Sequence, residues 1–170
     1  MLLSRSTTPP RRIVEGATFA ICRRTERRRF LLRPDALFLW LLAVCVEPFG
    51  IEVHAATCLS THFHLVVTVP NAHVSDFLHR LDTHLARAVQ VLRRFVGGVV
   101  WAPGQLSIVE LTRREAVVEQ IVYAFVKPLK PSMDPRCIHR NVACQSPRGC
   151  SLVVSRAARR RRGPGSSRRS

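Results

Sequence analysis

The sequence predicts an α+β domain in which an antiparallel sheet carries helices on one face. Three observations carry that prediction. Short apolar or alternating stretches bounded by Pro, Gly and Asn read as strands. Between and after them lie helical stretches, the clearest with apolar residues at three- and four-residue spacing. The 46% hydrophobic content of the 170 residues is enough for one core but leaves little room for two.

Residues 1–15 hold Pro9-Pro10 and Arg11-Arg12 without periodicity and read as a flexible lead. Ala17 to Cys22, with Phe19 and Ile21, is a short strand, and the arginines that follow it read as a basic loop. Pro34-Asp35 opens a helix through Val46, with Asp35 placed to cap its first turn, and Pro48 and Gly50 close it. Ile51 to Cys58 is a second strand. His62 to Val69 is a third, and it alternates. Phe63, Leu65, Val67 and Val69 form its more apolar face, which belongs to the core, while His62, His64, Val66 and Thr68 form the other.

Ser75 to Val96 is the strongest helix, with Leu78, Leu81, Leu85, Val89, Leu92 and Val96 as its apolar stripe and Gly97-Gly98 as its stop. A fourth strand is expected over Leu106 to Leu111. Thr112-Arg-Arg-Glu115 then reads as a capping box for a last helix ending near Val126, before Pro128. The order β-α-β-β-α-β-α matches a ferredoxin-like split βαβ arrangement plus an added C-terminal helix. The sheet face opposite the helices is then open to carry a site. Residues 16–130 are the expected domain. Residues 131–170, rich in Arg and Pro and without a sustained period, read as a disordered tail, with only Ser151 to Ser155 faintly strand-like.

Lys+Arg number 27 against 11 Asp+Glu, a net charge of +16. The last 40 residues carry ten Arg and one acid, net +9, which leaves +7 for the first 130. Such a distribution points to a polyanionic partner, nucleic acid above all. The longest apolar run, Ala36 to Val46, is too short to span a bilayer, and Met1-Leu2-Leu3 runs at once into polar residues. The expectation is a cytoplasmic protein with no membrane partner and reduced thiols. Cys22, Cys45 and Cys58 sit in apolar stretches as small hydrophobes, and Cys137, Cys144 and Cys150 form no CxxC pair.

Two features bear chemistry. His62-Phe63-His64 places two imidazoles on one strand face, where their nitrogens can share a divalent metal. His54 and Cys58 offer a rival cluster, at a spacing that matches no standard zinc site. Tyr123 is the only tyrosine. Its helix has Val118, Ile121, Val122 and Phe125 for an apolar side, with Glu119, Gln120, Tyr123 and Lys127 along the polar side, so that the phenol can meet a ligand.

Residues 11–130 resemble the REP-associated tyrosine transposases, single-tyrosine members of the HUH nuclease superfamily. The stretches that carry the resemblance are Gly16-Ala-Thr-Phe, Arg27-Arg-Arg-Phe-Leu-Leu-Arg-Pro-Asp35, Leu59-Ser-Thr-His-Phe-His-Leu-Val-Val67, Trp101-Ala-Pro103 and Ile121-Val-Tyr123. The resemblance implies a ferredoxin-like domain that binds single-stranded or hairpin DNA, as a monomer or homodimer. It also implies Mg²⁺ or Mn²⁺ held by His62 and His64, and Tyr123 as the nucleophile that forms a 5′-phosphotyrosine. Arg27, Arg28, Arg80, Arg87 and Arg93 are the candidate phosphate contacts.

The sequence departs from the family at two auxiliary positions. Thr61 stands where the family carries Asn, and Lys127 stands where it carries the Asn or Gln that completes the metal shell. An ammonium offers no acceptor to a cation. Either Lys127 assists the phenol and the phosphate electrostatically, or the chain is a catalytically degenerate protein that binds single-stranded or hairpin DNA without cutting it.

Overall fold

The computed structural model describes residues 14–32, 35–95 and 97–126, together with two short strands, Asn141–Cys144 and Leu152–Ser155. Strands β1 (Ala17–Thr25), β2 (Glu52–Leu59), β3 (His62–Val69) and β4 (Trp101–Glu110) alternate with helices α1 (Asp35–Val46) and α2 (Val74–Arg93). Helix α3 (Arg114–Val126) follows, and the two short strands are β5 and β6. The sheet order is β4-β1-β3-β2-β5-β6, with every neighbouring pair antiparallel. Its first four strands have the order expected of a split βαβ domain. No helix among the described residues is long and apolar enough to cross a membrane.

The alternation of β3 divides the molecule. Phe63, Leu65, Val67 and Val69 are buried with Phe19 and Ile21 of β1 beneath α1 and α2, which contribute Phe38, Leu42, Phe77, Leu81 and Leu85. Phe63 lies at the centre, with ring centroids 5.2 Å from Phe38 and 5.8 Å from Trp101. Removal of this apolar surface from water is the main driving force for the domain. Cys45 and Cys58 belong to the same core, as their apolar settings predict.

Several boundaries differ from the sequence reading. β1 runs three residues past Cys22 because Arg23 finds partners that a linear reading does not reveal. Its Nε lies 3.0 Å from a carboxylate oxygen of Asp82 on α2, and its guanidinium lies over the Trp101 ring at 5.5 Å. β4 begins at Trp101 rather than Leu106, and a register shift opposite Arg23 and Thr25 absorbs the irregularity. α2 stops at Arg93, where Arg94 takes a left-handed conformation (φ 50°) and closes the helix through its own N–H, ahead of the glycines. Leu92 is consequently exposed, and Val96 lies outside the described residues. α3 starts one residue late for Thr112 to cap it, since the carbonyl of Arg113 accepts the first helical bond from Val117.

Two corrections concern the sheet as a whole. The face opposite α1 and α2 is not open, because α3 packs on it. Ala124 and the half-buried Val117, Ile121 and Phe125 cover Ala55 and Val66. Within residues 131–170, read as disordered apart from a faintly strand-like Ser151 to Ser155, β5 extends the sheet from the edge of β2, and β6, on that strand-like segment, pairs with β5. Each is a four-residue segment, too short to show a period, and each is formed by main-chain pairing along a sheet edge. The remainder of 131–170 and the lead 1–13 lie outside the described residues.

Candidate functional site

The site lies where α3 crosses the polar face of β3. Alternation lifts His62 and His64 to that face, and their ring centroids are 4.9 Å apart with planes nearly perpendicular. The Nε2 atoms of both rings are buried. Thr61 Oγ1 is hydrogen-bonded to Nδ1 of His62 at 2.9 Å, which fixes that ring and leaves Nε2 on its side away from Thr61. Thr61 is in turn held at its carbonyl, which accepts from the backbone N–H (2.8 Å) and the buried hydroxyl (2.9 Å) of Thr25.

Helix α3 brings Tyr123 to the same place. Its ring meets His64 edge to face, with centroids 5.9 Å apart and planes at 89°, and the residue is 43% exposed. The sequence assigned the wrong neighbours to this helix in part. Ile121 and Phe125 pack on the sheet as expected, but Val118 and Val122 are more than half exposed, and Val117 and Ala124 take their place. The helix is apolar almost all round, so no single stripe in the sequence identifies its buried side. Lys127, four residues after Tyr123, lies outside the described residues.

The candidate phosphate contacts separate into two groups. Arg27 and Arg28 form an exposed turn directly after β1, both with positive φ, beside the Thr61 end of β3. Arg80, Arg87 and Arg93 are exposed on α2, which packs against the other face of the sheet. The structure therefore does not unite all five. Two residues absent from the sequence-based set do lie on the site face. Arg24 stands directly across from His62, and Cys22 directly across from His64, in the β1–β3 ladder. The signal for both was the alternation of β1, which for Arg24 was hidden once the strand was ended at Cys22.

The rival cluster does not form. Cys58 points into the core beneath α1 and α2. The His54 Nε2 is hydrogen-bonded to Thr68 Oγ1 at 2.7 Å on the opposite face, and that oxygen also meets Thr18 Oγ1 at 2.7 Å. Burial pushes the imidazole of His54 below its ordinary pKa, with nearby Glu52 opposing. Among the described residues no three His, Cys, Asp or Glu side chains converge as a metal site. Among the described residues, His62 and His64 thus bring two imidazoles together and no third His, Cys, Asp or Glu joins them.

No protein-family model matches the sequence, and no curated protein is significantly similar to it. Among solved structures, a REP-associated tyrosine transposase bound to a REP hairpin superposes with a TM-score of 0.62 at 16% identity, over 73% of each chain. A protein from Deinococcus radiodurans assigned as a transposase gives a TM-score of 0.48 at 22% identity, over 70% of this chain and 95% of that one. The chain has a transposase-like fold. At these identities the likeness speaks to fold alone.

Proposed function

We propose that this chain is a transposase-type enzyme that cuts and rejoins single-stranded DNA through Tyr123. The observation that carries the reading is the contact of Tyr123 with His64, made by a helix and a strand distant in sequence. A phenol that is partly open to solvent lies beside two imidazoles on a single sheet face.

In this mechanism the Tyr123 oxygen attacks a backbone phosphorus. The phenol gives up its proton as an O–P bond forms to the tyrosine, the P–O3′ bond breaks, and the departing oxygen takes up a proton to leave a 3′-OH, so no net proton is consumed. The phosphotyrosine retains the energy of the phosphodiester, so a later 3′-OH reverses the step and joins strands without ATP. His62 and His64 would hold a divalent cation, whose contribution is to stabilise negative charge on the phosphate oxygens. Thr61 fixes the His62 ring for that task. Arg24, Arg27 and Arg28 border the same end of β3 and supply positive charge for the strand being held. The solved transposase with a REP hairpin supports DNA hairpins as the first substrates to try.

A second reading, a protein that binds such DNA without cutting it, is favoured by one observation. No third His, Cys, Asp or Glu side chain joins the two histidines among the described residues, and position 127 carries an amine. One experiment separates the two. The protein is incubated with Mn²⁺ and labelled hairpin DNAs bearing single-stranded flanks, then resolved under denaturing conditions. A DNA-shifted band that is lost in Tyr123→Phe supports the enzyme. A band from Lys127→Asn but not from the wild type identifies a transposase silenced at its metal shell. Retained binding without any adduct leaves the binding protein.

A further inference from the structure

The contact between Tyr123 and His64 depends on how α3 is held against the sheet, and a buried hydrogen bond spans that interface. Thr57 Oγ1 donates to the carbonyl of Ala124 at 2.9 Å, with both groups buried. Ala124 immediately follows Tyr123, and Thr57 stands directly across from His64 in the β2–β3 ladder. One hydroxyl thus joins the strand position beside the imidazole to the helical turn that carries the phenol.

The local sequence leaves this carbonyl available. In an α-helix the carbonyl of residue i accepts from the N–H of residue i+4. For Ala124 that residue is Pro128, which has no N–H to give. A helix-end carbonyl buried without a partner is costly, and here the sheet supplies the donor. The surroundings suit a close approach. Ala55 and Ala124 present only methyl groups and, with Val66, form a small cluster separate from the main core.

We propose that Thr57 is a positioning residue for Tyr123, acting through the Ala124 carbonyl to set the place on the sheet at which the phenol meets His64. The role rests on reading Tyr123 as the nucleophile. Thr57 is buried beneath the helix and touches no substrate.

The test uses Thr57→Val, which keeps the shape and removes the donor, and Thr57→Ser, which keeps the donor. Thr57→Ala is a second donor-free variant that cannot overfill the site. Because the chain has one tyrosine, tyrosine-selective isotope labelling gives a single ring signal that reports position directly. The signal and its cross-relaxation with the His64 ring are expected to change in Thr57→Val and Thr57→Ala and to return in Thr57→Ser. At saturating hairpin DNA, adduct formation is expected to slow at least about tenfold in the two donor-free variants, as for a nucleophile displaced from its line of attack. The DNA Kd stays the same, and Thr57→Ser recovers the rate. A Tyr123 signal and an adduct rate unchanged in both donor-free variants would overturn the proposal. A wild-type protein that forms no adduct contradicts the enzymatic reading instead, and the ring signal still decides whether Thr57 positions Tyr123.

Discussion

Tyr123 meets His64 edge-on with ring centroids 5.9 Å apart, although one lies on the last helix of the domain and the other on its central strand. That juxtaposition is produced by α3 folding back over β2 and β3, across the sheet from α1 and α2. It turns two separate sequence features into one candidate site.

If the histidine pair holds the cation, chelation should separate binding from chemistry. Removal of divalent metal with EDTA is expected to abolish adduct formation while hairpin binding, measured by gel shift, persists. Mn²⁺ should restore the wild type but not a His62→Ala, His64→Ala double variant. Thr61→Ala releases Nδ1 of His62 and should raise the Mn²⁺ concentration needed for half-maximal rate by about tenfold, the usual cost of losing a hydrogen bond behind a ligating imidazole.

How much of this was legible in the sequence depends on where each residue's partners lie. The core and site faces of β3 followed from its own alternation, and most of the buried stripe of α2 followed from its spacing. The end of β1 was not legible, because Arg23 becomes a strand residue only through Asp82 and Trp101, which lie far along the chain. Nor was the buried side of α3, whose valines surround the helix and whose packing is decided by Ala55 and Val66. Thr57 carried no motif at all. Its importance appears only when Ala124 is above it.

The Arg23–Asp82 pair makes stability depend on pH in an unusual direction. Burial pushes the Asp82 carboxyl from 3.8 up to about 6, against the opposing charge of Arg23 and a smaller contribution from His79. The folded state thus binds this proton more tightly than the unfolded chain. The stabilising contribution is complete below pH 3.8 and is lost as pH rises through about 6. Relative to Asp82→Asn, which stays neutral, the wild type is expected to lose on the order of 3 kcal/mol of stability between pH 3.5 and 7.5. Urea titrations of both proteins at the two pH values measure the difference. A gap that is constant with pH, or that grows in favour of the wild type as pH rises, contradicts the assignment.

Arg94 closes α2 in a conformation that suits glycine better than a side chain bearing a Cβ. Arg94→Gly is expected to stabilise the domain by about 1 kcal/mol, because the left-handed penalty disappears while the capping N–H remains. Thermal unfolding by circular dichroism should show a Tm higher by a few degrees. An unchanged or lower Tm would mean that the Arg94 side chain makes contacts worth more than the backbone strain.

Locating the covalent bond tests most directly whether Tyr123 is the nucleophile. After incubation with Mn²⁺ and a hairpin carrying a single-stranded flank, the protein is digested with protease and nuclease and the modified peptide is sequenced by mass spectrometry. The expected product is a nucleotide esterified through its 5′-phosphate to Tyr123, the single tyrosine of the chain, and none when the metal is chelated. A nucleotide attached to any other residue, or cleavage that continues unchanged in Tyr123→Phe, would contradict it.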